Sequence, residues 1–122
     1  MTERQNNIPE RRKFIRLNSS VEIQYTVLDE GANQGIKTKS RNIGSGGMGF
    51  VASQKLENNK VLGLSIYMPG ELMPIIAKGR VVWASPFESA RSKGFDIGSE
   101  FLEIAPEDRK KINSYIHSLR QS

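Results

Sequence analysis

Hydrophobic and polar positions alternate along most of this chain, and only the C-terminal stretch changes to a helical period. Val21, Ile23, Tyr25 and Val27 share one face of a segment whose other face carries Glu22, Gln24 and Thr26, which predicts a half-buried strand. The segment DEGANQG at 29–35 reads as a turn. A second strand is expected over 36–43, interrupted by the glycine cluster GSGGMG at 44–49, with Phe50 and Val51 opening a third. Leu62, Leu64, Ile66 and Met68 alternate again until Pro69 and Gly70 stop them. Residues 75–83 and 94–101 are two further strands, the latter with Phe95, Ile97 and Phe101 on one side. Beyond them Pro106 suits a first helical turn, and Glu107 and Asp108 sit where the helix dipole favours negative charge. Ile112, Ile116 and Leu119 then recur at helical spacing, with Tyr115 beside them. About six strands followed by one amphipathic helix predict a mainly β domain, a small antiparallel barrel or sandwich with the helix packed on or across it.

Composition narrows this. A chain of 122 residues, 37% of them hydrophobic, has enough apolar material for one modest core. Its formal charge of +5 favours an anionic partner such as a nucleotide, a nucleic acid or an acidic membrane face. The absence of cysteine excludes disulfides, thiolate catalysis and cysteine metal sites. The N-terminal MTERQNNIPERRKF has no apolar stretch suited to a signal peptide, and no run approaches the roughly 20 apolar residues that cross a bilayer. A cytoplasmic protein is therefore expected. Residues 1–10 are polar and read as a flexible lead-in.

Two places have residues suited to chemistry. The first is the basic run RRKFIR, with Arg12 and Arg16 four apart, Arg11 adjacent and Lys13 between them. Guanidinium groups bond phosphate oxygens through a planar fork and stack on aromatic rings such as guanine. From charge alone, however, a solvated basic arm is the favoured reading. The second is NIGSGGMGF at 42–50, where four glycines in six positions allow positive φ and close approach of a ligand to the backbone. Successive N–H groups there could form an anion-binding nest; a glycine-rich bulge or tight hairpin within a barrel explains the same residues equally well. Gly44, Gly46 and Gly49 also match G-x-G-x-x-G, but that fingerprint needs a buried parallel strand before it and a helix after it, and neither is expected here.

Nothing points to catalysis. His117, the only histidine, lies in the C-terminal helix beside Ile116 and reads as a surface residue. Glu100 and Glu103 have no evident partner for acid–base work. No His or Cys cluster offers a metal site.

Taken together, Arg12 and Arg16 followed by an Asn-x-x-x-x-Gly loop resemble the PilZ domain family, whose pattern is R-x-x-x-R and, downstream, [D/N]-x-S-x-x-G. Arg12-Lys13-Phe14-Ile15-Arg16 meets the first half, and Asn42 and Gly47 meet the second. GRVVW at 79–83, GFDIGSEF at 94–101 and the closing helix are similar to the family's later strands and tail, so the resemblance covers nearly the whole chain. It implies a six-stranded antiparallel β-barrel with a C-terminal α-helix: an arginine arm at 11–17, a barrel at 18–103 and a helix at 106–120. It also implies a non-enzymatic receptor for the second messenger cyclic di-GMP that needs no cofactor. Such a receptor would signal to a downstream protein in motility, adhesion or exopolysaccharide control. By that resemblance Arg12 and Arg16 contact guanine faces and phosphates, with Arg11 auxiliary. Asn42 bonds a guanine edge and Gly47 permits close approach. Trp83 is either a stacking platform or a core residue.

The loop departs from the family at one position. Gly44 stands where serine is usual, and Ser45 follows it. Either Ser45 or bare backbone substitutes, or affinity falls; one hydrogen bond to a charged group is worth about 1.5–3 kcal/mol, roughly ten- to hundredfold in affinity. Gly44 therefore also suits a second reading, a PilZ-like interaction module with weak or no nucleotide binding. A third reading, a basic barrel binding single-stranded nucleic acid, needs aromatics interleaved with cations on an exposed strand face. Tyr25, Tyr67, Phe95 and Phe101 all fall on apparent core faces, which counts against it.

Overall fold

The computed structural model describes residues 16–18, 20–28 and 35–120 of the chain. Residues 29–34 of the turn expected at 29–35, the lead-in expected at 1–10 and the arm residues 11–15, including Arg11 and Arg12, lie outside the described residues. Among the described residues seven strands and one helix follow in order: β1 (Arg16–Asn18), β2 (Glu22–Val27), β3 (Ile36–Gly44), β4 (Gly47–Ala52), β5 (Val61–Tyr67), β6 (Ile75–Glu88), β7 (Lys93–Glu103) and α1 (Pro106–Arg120). All pairings are antiparallel. The ring runs β3–β2–β5–β6–β7–β4 and closes through β4 onto β3, giving a six-stranded barrel. Closure leaves no long unpaired edge. The short β1 is an addition to the ring, pairing Leu17 with Ile43 at the end of β3.

Alternation put the core where the sequence predicts it. Val21, Ile23, Tyr25, Leu62, Leu64, Ile66, Met68 and Ile97 are all buried. Tyr25 and Phe50 meet inside the barrel with ring centroids 5.0 Å apart. Two aromatic and apolar expectations do not hold. Tyr67 is 44% exposed, because Ile66 beside it takes the inward position and a strand cannot turn both inward. Leu119, near the helix end, is also exposed.

The glycine cluster is the main revision. It does not interrupt a strand: Gly44 closes β3, Gly47 opens β4, and only Ser45 and Gly46 form the turn between them. Nor does the turn use left-handed backbone, since Asn59 and Gly70 alone have positive φ among the described residues. The alternation of right- and left-handed residues that makes an anion nest is therefore missing. This G-x-G-x-x-G stretch leads into antiparallel β4 and not into a helix.

α1 packs against β3 and buries Ile112 and Ile116. Its Arg109 donates from Nη1 to the Ser45 carbonyl at 2.7 Å, while Phe101 N–H donates to the Gly46 carbonyl at 2.9 Å. Helix and β7 together hold the β3–β4 turn.

Candidate functional site

Because directly paired residues of neighbouring strands project to the same side of a sheet, the register assembles the outer face row by row. One row reads Asn18, Asn42, Gly49, Gly98, Trp83 across β1, β3, β4, β7 and β6. The next reads Arg16, Gly44, Gly47, Glu100, Arg80. On the other side of the first row, Val51, Asp96 and Ser85 form a third. The inward positions between them are Ile43, Met48, Phe50, Ile97 and Ser99, all buried. Four glycines, Gly44, Gly47, Gly49 and Gly98, thus occupy outward register positions from β3 to β7, and all four are buried.

Two of those glycines are floors for side chains. A Cβ on Gly98 would lie 2.2 Å from Nε1 of Trp83, so the indole rests flat on that residue. A Cβ on Gly49 would lie 3.2 Å from the Asn42 amide, and the Gly49 N–H donates to Asn42 Oδ1 at 3.0 Å. Asn42 and Trp83 therefore lie over two adjacent glycines, Gly49 of β4 and Gly98 of β7, on an outer face that we term the saddle.

Trp83 is 43% exposed, which overturns the core alternative for this residue. Inward positions on β6 are Ile75, Ala77 and Val81, and strict alternation would send residue 83 inward as well. A register shift between Val81 and Trp83 reverses the phase, so that Ala84 packs inward opposite Ile97 and Trp83 turns out opposite Gly98.

A second bulge acts at β3. The register shifts between Ser40 and Asn42, which makes Arg41 the extra residue. Ser40 stays buried, accepting the Val21 N–H on its Oγ at 2.9 Å, while Arg41 and Asn42 both leave on the outer side. Arg41 reaches β7, where its Nε lies 2.6 Å from Oδ1 of Asp96, and its guanidinium stands 5.4 Å over the ring of Phe87 on β6. On the opposite border of the saddle Arg80 donates from Nε to Oε2 of Glu100 at 2.9 Å and from Nη1 to Asn59 at 3.0 Å. Glu100 thus has a partner after all, and Glu103 lies 3.7 Å from Lys78 Nζ. In both cases the carboxylate is engaged with a cation from the neighbouring strand, a pairing that sequence separation concealed.

Of the residues singled out in the sequence, Gly44, Gly47, Asn42 and Trp83 come together on this one face, and the backbone of Arg16 is brought opposite Gly44. Ser45 is elsewhere: it is buried in the turn with its carbonyl held by Arg109. Gly49, Gly98, Arg41, Asp96 and Phe87 are the residues that sequence reasoning missed. The signal for Asp96, Gly98 and Glu100 was present, as the complement of the inward Phe95, Ile97 and Phe101. No comparable local signal marks the bulge at Arg41. Among the described residues no cluster of His, Cys, Asp or Glu is placed to hold a metal ion, and no helix is long and apolar enough to cross a membrane.

Fold and face together define a small closed antiparallel barrel with a glycine-floored outer surface bordered by arginines. The family model described as PilZ domain matches residues 10–118, and the chain belongs to that family. No curated protein sequence matches it. Among solved structures it is similar to the inhibitor of motility MotI/DgrA of Bacillus subtilis, with TM-score 0.74 and 23% identity over 90% of this chain and 51% of the other. It is similar also to the PilZ domain of YcgR from Escherichia coli, solved with c-di-GMP, with TM-score 0.71 and 17% identity over 91% of this chain and 92% of that domain. A third is the MrkH–c-di-GMP complex of K. pneumonia, with TM-score 0.70 and 14% identity over 90% of this chain and 52% of the other. The chain thus spans about half the length of MotI/DgrA and MrkH. These likenesses establish the barrel and its closing helix.

Proposed function

We propose that this domain is a receptor for cyclic di-GMP, a non-enzymatic module that reports ligand to a partner protein. The observation that carries the reading is the row pairing Arg16 with Gly44 and Gly47, set beside the row holding Asn42 and Trp83. Pairing of β1 with β3 brings the backbone of Arg16, the end of the arginine run, beside Gly44, and to Arg12 and Arg16 we assign the contacts with guanine faces and phosphates. Asn42 supplies amide donors and acceptors for a guanine edge, and the exposed indole of Trp83 offers a stacking surface. Arg11 serves as an auxiliary cation for the phosphates. Two c-di-GMP-bound relatives of the same fold support the choice of ligand. Ordering of the arm on binding is the output that a partner would read.

At the position of the missing serine, Ser45 is turned into the turn and bound through its carbonyl, so we assign the replacement contact at Gly44 to bare backbone. The same glycine favours the second reading, an interaction module that has lost its nucleotide. Calorimetric titration separates the two. Cyclic di-GMP is expected to bind the natural protein, with Arg12→Ala and Arg16→Ala each weakening it by about ten- to hundredfold. Gly44→Ser is expected to tighten it. Absence of heat with the natural protein at high micromolar ligand, unrelieved by Gly44→Ser, would leave only the interaction module.

A further inference from the structure

Resting on the cyclic di-GMP reading, we infer that Arg41 is a specificity-determining residue of the same site, one that reads the Hoogsteen edge of a guanine and so selects guanine over adenine. Three observations place it there. The bulge between Ser40 and Asn42 puts Arg41 and Asn42 on the outer side together, next to each other in sequence and at the same end of the saddle. The guanidinium is set in advance: Phe87 supports it at 5.4 Å, and Nε lies 2.6 Å from Oδ1 of Asp96, a charge contact that lacks hydrogen-bond geometry. Its side chain is nevertheless 53% exposed, and the ion pair at Nε leaves Nη1 and Nη2 for a ligand.

A fork of that kind matches guanine and rejects adenine. Guanine presents two acceptors, O6 and N7, on its Hoogsteen edge; adenine presents the N7 acceptor but a donor amino group in place of O6. Two N–H donors aimed at adenine would meet another donor. Anchoring by Phe87 and Asp96 lowers the conformational entropy lost when the fork engages, which makes the contact stronger than a free surface arginine could provide. To the guanine and phosphate contacts assigned to the arm arginines, Arg41 adds a base-edge contact from the rigid barrel.

The test is calorimetry of the full chain with cyclic di-GMP and with cyclic di-AMP. The natural protein is expected to prefer the guanine ligand. Arg41→Ala should weaken cyclic di-GMP by roughly ten- to hundredfold while leaving cyclic di-AMP little changed, so the preference collapses. Arg41→Lys keeps the charge but lacks the planar fork, and should lose the preference as well. Should Arg41→Ala unfold because Asp96 is left unpaired, the double variant Arg41→Met with Asp96→Asn removes that charge and gives the same readout. Lys55→Ala, an equal loss of charge in an exposed loop, should leave both affinities within about twofold. Undiminished preference for cyclic di-GMP in the Arg41 variants would overturn the inference while the receptor reading stood. A natural protein that binds neither ligand would overturn both.

Discussion

At the scale of the residue, what distinguishes this barrel is how its outward glycines are used. Gly98 exists as glycine because the Trp83 indole occupies the space of its Cβ. Gly98→Ala is therefore expected to lift the indole off β7. Trp83 is the only tryptophan, so its fluorescence reports this directly as a shift in emission, and an unchanged spectrum would contradict the packing described. Inside the barrel Tyr25 carries the corresponding liability: burial pushes its phenol above the ordinary value of 10.0 by penalising the charged form. The sign follows from linkage. Below the unfolded-state value both states keep the proton and stability is level; as pH rises past it the unfolded chain ionises first, and stability falls until the folded-state value is passed. Tyr25→Phe retains the ring contact with Phe50 and should blunt this loss in thermal melts between neutral pH and pH values above about 10.

At the scale of the element, two bulges set what each strand presents. Without the shift at β6, Trp83 would compete for the core; without the shift at β3, Arg41 and Asn42 could not share a side. The β3 bulge is tied to the start of β2 by Ser40, whose backbone N–H donates to the Val21 carbonyl and whose hydroxyl accepts the Val21 N–H. Ser40→Ala leaves that buried N–H without its acceptor, at a cost of about 1–3 kcal/mol. Urea denaturation measures it, and a midpoint matching the natural protein would show that the serine is not what holds the junction. The element boundaries repeat this dependence on distant contacts. The strand parities were legible from local alternation, whereas the glycine cluster read as an interruption because nothing within 42–50 announces that its residues pair with β7 and β1. Trp83 was ambiguous for the same reason, since a phase reversal leaves no mark in the hydrophobic pattern of β6.

At the scale of the molecule, the helix is linked to the outer face on which the proposed site lies. α1 closes the barrel by burying Ile112 and Ile116, and through Arg109 it holds the carbonyl of the turn whose flanking strands carry Gly44, Gly47 and Gly49. Ile112→Ala should cost about 2–5 kcal/mol, since that side chain is fully buried at the helix–barrel contact. Denaturation followed by far-ultraviolet circular dichroism checks it; a loss under about 0.5 kcal/mol would mean the helix is not part of the same cooperative core. The ion pairs Arg41–Asp96 and Arg80–Glu100 are each internally neutral; on the proposed receptor reading, the attraction for a doubly anionic ligand is therefore assigned to the arginines that precede β1 in sequence.

The sequence by itself determined the inward positions Val21, Ile23 and Tyr25, Leu62, Leu64 and Ile66, and Ile97, where Pro69 and Gly70 stop one strand and where Pro106 starts the helix. Its Arg12, Arg16, Asn42 and Gly47 also carried the family resemblance. These are properties of near neighbours, and alternation with period two or a proline's fixed φ needs no knowledge of the rest of the chain. Only the tertiary structure decided that Gly49 and Gly98 floor one saddle, that Trp83 turns outward onto it, and that Arg41 is held between Phe87 and Asp96. Each of these depends on register between strands far apart in sequence, and register is chosen by the closed barrel as a whole: a bulge is retained where the core gains from the phase it restores.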